Sequence, residues 1–417
     1  MSIYHSLLER EKQAGFIGVA VIGAGQMGRG MIAQISNIPG MQVRAVCDIQ
    51  TEAAQRAVDA YLSNVKTLHP DVLVDSDYQK LIAHPSVDVV VDATGVPEVG
   101  ANVALAALAE RKHLVLLNVE MDVTVGSILS SWFQSAGLIY TGSAGDEPAV
   151  TLEMFEFAKS MGLEVVVAGK GKNNPFIPLS TPDTCKDEAV RKHMNPHMLA
   201  AFQDGTKTMA EMNLLSNATG FIPDKTGMHG VSADVKTVSE KLRLIEEGGC
   251  LSRHGVVEYV HGLAPGVFVI VKSDLAEVNE ELKYLSVGEG PYYTLYRPFH
   301  LASLETPISI ARAAILHEPT IAPIGGPVSD TVAVAKRDMV AGDAFDGIGG
   351  YTVRGVIEEH VTAAKAGHVP IGLITPKARA KRAISVGSFI TYDDIELDQS
   401  TTVWHLRSLQ NKMFRNA

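Results

Sequence analysis

The stretch VAVIGAGQMGRG, Val19 to Gly30, decides the fold. An apolar run ends in three glycines, Gly23, Gly25 and Gly28, with G-x-G-x-x-G spacing, and a helical pattern begins at once. Each glycine has its own physical task. The first allows a tight turn, the second lets a pyrophosphate approach the backbone, and the third lets helix and strand pack closely. Phosphates then meet unpaired N–H groups at a helix N-terminus. With Gln26 and Met27 on the same loop, the stretch reads as a dinucleotide cradle.

Outward from this loop, short apolar runs alternate with helical patterns from about Gly15 to about Gly145. GFIGVAVIG, MQVRAVCD, VDVVVDATG, KHLVLLNVE and AGLIYTGSA read as strands, with amphipathic segments between them. Such a series predicts an α/β fold, a Rossmann doubly wound parallel sheet covered on both faces. The second strand ends in Asp48, where a carboxylate accepts the ribose hydroxyls and repels a 2′-phosphate. NAD is therefore expected over NADP, although Asp48 also suits the start of the next helix. Ala93, Thr94 and Gly95 follow the strand VDVVVD, and Asn118, Glu120 and Asp122 follow the next one. All fall at the carboxyl edge of the sheet, where ligands bind in open α/β folds.

The whole chain has 417 residues, 46% hydrophobic and 20% charged, with a formal net charge of −11. This is too long for one ordinary domain, and the absence of a basic block argues against a nucleic-acid surface. Cys47, Cys185 and Cys250 show no zinc spacing, and read as reduced thiols. The N-terminus lacks the apolar core of an export signal, and the apolar runs are strand-sized. A cytoplasmic protein with no membrane span is expected. Texture changes divide the chain into residues 1–150, 151–325 and 326–417: the Rossmann domain, a central α+β catalytic domain, and a small β-rich C-terminal domain. The last holds two similar half-motifs, VAVAKRDMVAGDAFDGIGG and KARAKRAISVGSFITYDDIEL.

VVVAGKGKNNPF, Val165 to Phe176, puts two lysines and two asparagines at the end of an apolar strand. Lys170 and Lys172 are i, i+2, so in extended backbone they share a face. Paired ammonium groups there suit a carboxylate, a phosphate or a developing alkoxide. Asn173 and Asn174 add neutral donors and acceptors for hydroxyls. A lysine crowded by another also has a lowered pKa, which suits proton transfer. Asp146 and Glu147 precede a helix, and read either as N-terminal acids or as ligands for a divalent metal. Glu211 lies on a predicted helix with Lys207 four residues before it, and His229 sits between small residues in GMHG. Lys207, Glu211 and Asn217 are second-tier candidates, and His229, Arg297 and His300 are candidate substrate contacts; Glu211 and His229 are placed among the catalytic residues.

GAGQMG, DATGVPEVG, LNVEMDVTVG, AGDEPAV, AGKGKNNP, MNP, DGTKTMAEM, NATGFIPD, GMHG and YRPFHLASLE follow one another in that order. From about Ile17 to Leu397 the chain thereby resembles the homoserine-dehydrogenase-like oxidoreductases, including the 1-deoxy-D-xylulose 5-phosphate reductoisomerase-like enzymes. The resemblance implies a central catalytic and dimerisation domain, a C-terminal SAF-like (β-clip) module, and a homodimer or higher homo-oligomer. The reductoisomerase-like members use NADPH, a use that Asp48 opposes. The expected reaction is hydride transfer between NAD(P) and a small anionic polyhydroxy substrate. The alternatives are a reductoisomerase forming 2-C-methyl-D-erythritol 4-phosphate with NADPH and a divalent metal, and a non-catalytic dinucleotide sensor.

Overall fold

The computed structural model describes residues 2–65 and 70–414. They form two compact units, Met1–Ala149 with Leu301–Ala322, and Val150–His300 with Pro323–Ala417.

The first unit begins with α1 (Ile3–Lys12), β1 (Ile17–Ile22) and α2 (Gln26–Ile35). Next come β2 (Met41–Cys47), α3 (Thr51–Asn64), β3 (Leu73–Asp75) and α4 (Tyr78–Ile82). It continues through β4 (Val89–Asp92), α5 (Pro97–Ala109), β5 (His113–Leu116), α6 (Val119–Ser135) and β6 (Tyr140–Gly142). The six strands run in the order β3-β2-β1-β4-β5-β6, every pairing parallel. Strand order reverses beside β1, which opens a crevice at its carboxyl end. All six residues of β1 and all four of β4 are buried, as a sheet covered on both faces requires. β3 is the one strand of this sheet that the apolar pattern does not announce. Its three residues, Leu73–Asp75, are all half-buried.

Residues 301–322 return to this unit as a strap containing α13 (Thr306–Ala311). Ile310 and Ala311 join the core of Val19, Val21, Met31, Val43 and Val89. Ser309 Oγ accepts the N–H of Ala144 at 2.8 Å, and Ala302 donates its N–H to Gly145 O at 3.0 Å.

The helix α7 (Glu147–Ser160) carries the chain into the second unit. There β7 (Glu164–Gly171), α8 (Lys186–Arg191), α9 (Pro196–Gln203) and α10 (Thr206–Thr219) follow in turn. The strands β8 (Ile222–Pro223) and β9 (Val231–Ser232) precede α11 (Val238–Lys241) and β10 (Val256–His261). The segment closes with β11 (Val267–Lys272), α12 (Ala276–Tyr284) and β12 (Tyr292–Arg297). The sheet order is β12-β11-β7-β10-β8, with β9 added on β10. It is mixed: β7 runs parallel to β10 and antiparallel to β11. β7 is thus interior, with seven of its eight residues buried.

The C-terminal segment packs within this second unit, where three separate domains were expected. It comprises β13 (Ser329–Ala335), β14 (Val353–Glu359), α14 (His360–Ala366), β15 (Arg379–Ala380), β16 (Ile395–Glu396) and α15 (Thr402–Met413). Polar bonds tie it to α10 and the turn before it. Ser216 and Ser329 hydroxyls lie 2.7 Å apart, and Asn217 Oδ1 accepts the N–H groups of Val328 and Ser329 at 2.8 and 3.1 Å. Lys336 reaches Asp204 at 3.0 Å with both side chains buried. Burying that pair is tolerable because each charge has its counter-charge and a further hydrogen bond. The two half-motifs of the sequence face one another, with Met339 bridging Ile384 and Ala344 bridging Arg379 in antiparallel sense. Among the described residues, no helix is long and apolar enough to cross a membrane.

Candidate functional site

Each unit carries one constellation. In the first, Gly23 follows β1 with φ +103°, and a Cβ there would lie 2.8 Å from Ala93 O. At Gly28 a Cβ would come within 1.9 Å of Gly23 O, so only glycine lets α2 begin so near β1. Gly25 differs. Its φ of −66° suits any residue, and a Cβ there would meet nothing within 4 Å. It is the N-cap of the ten-residue α2 and makes no side-chain cap, which leaves free the N–H groups that a phosphate takes. Gly25, Gln26 and Met27 are exposed. An open space over helix N–H groups, bounded by glycines on a strand end, suits a dinucleotide pyrophosphate.

Asp48 stands at the edge of this space. Its Oδ2 accepts the N–H of Ala24 at 2.8 Å and its Oδ1 that of Gln50 at 2.9 Å, while Gln50 is the N-cap residue of α3. The carboxylate thus holds the glycine loop, and each oxygen retains a lone pair for a ribose hydroxyl. After β4, Thr94 donates its N–H and its hydroxyl to Asp92 Oδ1 at 2.9 and 2.6 Å. Gly95 has φ +66°, and open space lies beyond its Cα.

Asn118 serves the loop more than any ligand. Its amide nitrogen donates to Asp92 Oδ2 and to Val96 O, both at 3.0 Å, and its Oδ1 accepts the N–H of Met121. Asp92 is the residue that sequence reading passed over, although it ends the apolar strand VDVVVD. It is fully buried, and burial raises its pKa. Glu120 is buried in the first turn of α6. Asp122, in the same first turn of α6, accepts the Tyr140 hydroxyl at 2.7 Å, and burial pushes its pKa up to about 7. Asp146 and Glu147 fall where α7 starts, Glu147 as its first residue.

In the second unit the constellation is built on β7. Lys170 and Lys172 are both buried, at 3% and 7% exposure, as few lysines are. Lys170 stands in register with Tyr259 of β10 and Val267 of β11, and its ammonium is ion-paired to Glu211 of α10. Glu211 also lies one turn after Lys207 on α10, the neighbour that the sequence offers as an ion-pair partner. A strand lysine reaches it because α10 lies on that face of the sheet. Lys172 has a carbonyl as its hydrogen-bond acceptor, donating to Phe202 O at 2.8 Å. Burial, with the charge of Lys170 beside it, lowers the Lys172 pKa to about 8. Glu211 and Asp204 oppose that shift, and burial, followed by the charge of Lys172, lowers the pKa of His261 on β10.

The remaining candidates separate from this pair. Asn173 is exposed in the loop after β7, and Asn174 Oδ1 accepts from Lys192 at 3.3 Å. His229 belongs to another cluster: its Nε2 is 2.8 Å from Asp224 Oδ2, and Asp224 also accepts the Ser252 N–H and hydroxyl. The main-chain N–H of His229 meets both oxygens of Glu258, at 2.9 and 2.8 Å. Glu258 is almost wholly buried, and burial pushes it up to about 8 despite those donors. The GMHG turn is thus clamped by a glutamate and an aspartate, which accounts for His229 structurally. Arg297 pairs with the exposed Glu153 at 3.2 Å and lies over the Phe299 ring. Asn217 holds the C-terminal segment, as described. Tyr259, His261 and Arg354 were not singled out from sequence, since none lies in a recognisable motif.

Residues 145–306 match the family described as oxidoreductase DRL, catalytic domain, and residues 17–117 match the N-terminus of dihydrodipicolinate reductase. Over 102 residues the chain is 34% identical to inositol 2-dehydrogenase of Salmonella typhimurium, covering 24% of this chain and 27% of that protein. Over 165 residues it is 28% identical to a glycosyl hydrolase family 109 protein of Solibacter usitatus, covering 38% of this chain and 35% of that one. The matched part thus spans well under two thirds of either relative. A solved myo-inositol dehydrogenase from Lactobacillus casei, in complex with NAD(H) and myo-inositol, aligns with TM-score 0.43 at 16% identity, over 74% of this chain and 88% of that one. A probable dehydrogenase from Thermotoga maritima aligns with the same TM-score at 13% identity, over 74% and 91% of the two chains.

Proposed function

We propose that this protein is a nicotinamide-dependent oxidoreductase acting on a CH–OH group of a small anionic polyhydroxy compound, with NAD as its cofactor. The observation that carries the reading is Lys172, a buried lysine just past the end of the interior strand β7, whose pKa is lowered to about 8. Such an amine is neutral often enough near pH 8 to accept a hydroxyl proton, and charged often enough to return it. The family matches at 17–117 and 145–306 support the same class of chemistry.

When bound, the nicotinamide accepts or returns a hydride. The chain's own residues do the rest. Gly23, Gly25 and Gly28, with the N–H groups of Gln26 and Met27, hold the pyrophosphate. Asp48 takes the adenosine ribose hydroxyls, and Ala93, Thr94 and Gly95 leave room along the sheet edge. Lys172 removes the substrate hydroxyl proton. Lys170, balanced by Glu211, lends positive charge to the developing oxyanion. Homo-oligomerisation and a cytoplasmic location remain parts of this reading.

The second reading is the reductoisomerase, with NADPH and a divalent ion. Asp146 and Glu147 favour it, because Mg²⁺ binds through one or two carboxylates and completes its shell with water and substrate oxygens. One assay separates the two. Purified protein is offered inositols, sugar acids and phosphorylated polyols with NAD or NADP, with and without Mg²⁺. Turnover with NAD that ignores chelation supports the first reading. Turnover confined to NADPH and Mg²⁺ sinks it.

A further inference from the structure

Among the described residues, the C-terminal segment places one cation, Arg354, against the loop after the lysine strand with no side-chain ion pair of its own. Arg354 lies on β14, and the next residue explains its position. A Cβ on Gly355 would be 2.7 Å from Thr331 Cγ2 and 3.0 Å from Thr206 Cγ2, so a larger residue would be crowded there. The Gly355 N–H instead donates to Thr206 Oγ1 at 2.8 Å, which fastens β14 to the first turn of α10. Arg354 is thereby set with its guanidinium 5.9 Å from the centroid of the Phe176 ring, in the loop that follows Lys172. Phe176 in turn packs edge-on to Tyr259, 6.4 Å between centroids, and Tyr259 is the register partner of Lys170. Phe176 is fixed from below, since a Cβ at Gly205 would come within 2.6 Å of its ring.

Among the described residues, the Arg354 side chain makes no hydrogen bond or ion pair, and its guanidinium lies over the Phe176 ring. The acid that acts on it is Asp204, which is ion-paired to Lys336 at 3.0 Å. A guanidinium cannot shed its proton in a protein, so half-burying it without a carboxylate is costly. Its five donors form a fork that matches a planar or tetrahedral oxyanion.

We propose that Arg354 is the residue that recognises the anionic group of the substrate, phosphate or carboxylate, at the site where Lys172 moves the proton. This rests on the functional reading above and deepens it. The C-terminal segment is then part of the substrate site, and specificity for charged over neutral polyols resides in β14. The Phe176 ring holds the guanidinium flat by its cation–π contact, and so presents the outer edge of the fork.

The test uses the full chain as wild type, Arg354→Met and Arg354→Lys, at constant ionic strength. Inorganic phosphate and acetate are the probes, and the readout is the shift in melting temperature. One or both anions should raise the wild-type melting temperature, leave Arg354→Met unmoved, and give Arg354→Lys an intermediate response. Response to phosphate alone assigns a phosphorylated substrate, and response to both assigns a carboxylate. An equal response in wild type and Arg354→Met, or no response to either anion, overturns the proposal. With an anionic substrate, Arg354→Met should raise KM about tenfold or more and leave the KM for NAD unchanged. Unchanged KM for the anionic substrate would sink the assignment while Lys172 chemistry stood. Full turnover by Lys172→Ala would instead remove the underlying reading.

Discussion

The glycine loop of the first unit and the lysine strand of the second both begin where a buried strand ends, yet they bind by different means. At Gly25 the useful features are empty space and main-chain N–H groups. At Lys172 they are side chains that act on it from β7, β10 and α10. A site made of backbone depends on a few consecutive residues, so substitutions there act on shape. A site made of gathered side chains depends on charge and burial, so substitutions there act on chemistry.

The sharpest way to break this contrast is Lys172→Ala. Turnover should fall about 10²–10⁴-fold, the usual loss when a positioned proton-transfer group is removed. NAD binding, followed by fluorescence of the bound reduced form, should be unaffected. For the wild type, the rate of alcohol oxidation should climb with pH through about 8, because the base must be neutral. The groups facing it are Lys170, His261, Glu211 and Asp204, so Glu211→Gln should lower that midpoint by removing an opposing charge.

The second test works inside the glycine loop. Gly28→Ala should cost about 1–3 kcal/mol of stability, since the added carbon meets Gly23 O at 1.9 Å and backbone must shift. Gly25→Ala should leave stability within about 0.5 kcal/mol and weaken NAD binding instead. Chemical denaturation and a cofactor titration read the two effects. If Gly25→Ala binds NAD as tightly as wild type, the cradle is elsewhere.

A third and smaller change is Asp48→Ala. Loss of a charged acceptor should weaken NAD binding roughly tenfold and narrow the preference for NAD over NADP. A cofactor competition assay checks it.

Such differences in mechanism also explain what was legible in advance. G-x-G-x-x-G, the alternating strands and Asp48 are local patterns, and each stood where the pattern implied. Lys170 and Lys172 were legible as neighbours from their spacing of two, and both are buried, Lys170 on β7 and Lys172 just past its end. Glu211 was visible as a candidate, but its ion pair with Lys170 spans 41 residues and no periodicity encodes it. Arg354 is further still, brought in by Gly355 and Thr206 across a pairing of distant segments. His229 was visible as a histidine in a glycine turn, but its contacts to Asp224 and Glu258 join segments that no local pattern connects. The division of the C-terminal third was also obscure, since residues 301–322 look no different in composition from their neighbours.

A last prediction concerns stability. In the folded chain Lys172 loses its proton near pH 8, but in the unfolded chain only near 10.5. Between those values the unfolded state binds more protons, so stability rises with pH across that window. Below about pH 8 both states are charged and the contribution is flat. Lys172→Met should remove the rise and stabilise the protein at pH 7, as pH-dependent denaturation would reveal.

The strap at 301–322 bears on how the molecule is made. A nascent chain emerging from a ribosome has produced β1 to β6 long before Ile310 and Ala311 exist, yet those residues belong to the same core. The first unit must therefore wait, incomplete, through synthesis of the intervening hundred and fifty residues. Neither unit can be cut out as one continuous gene fragment, and a chain stopped at His300 would leave both unfinished.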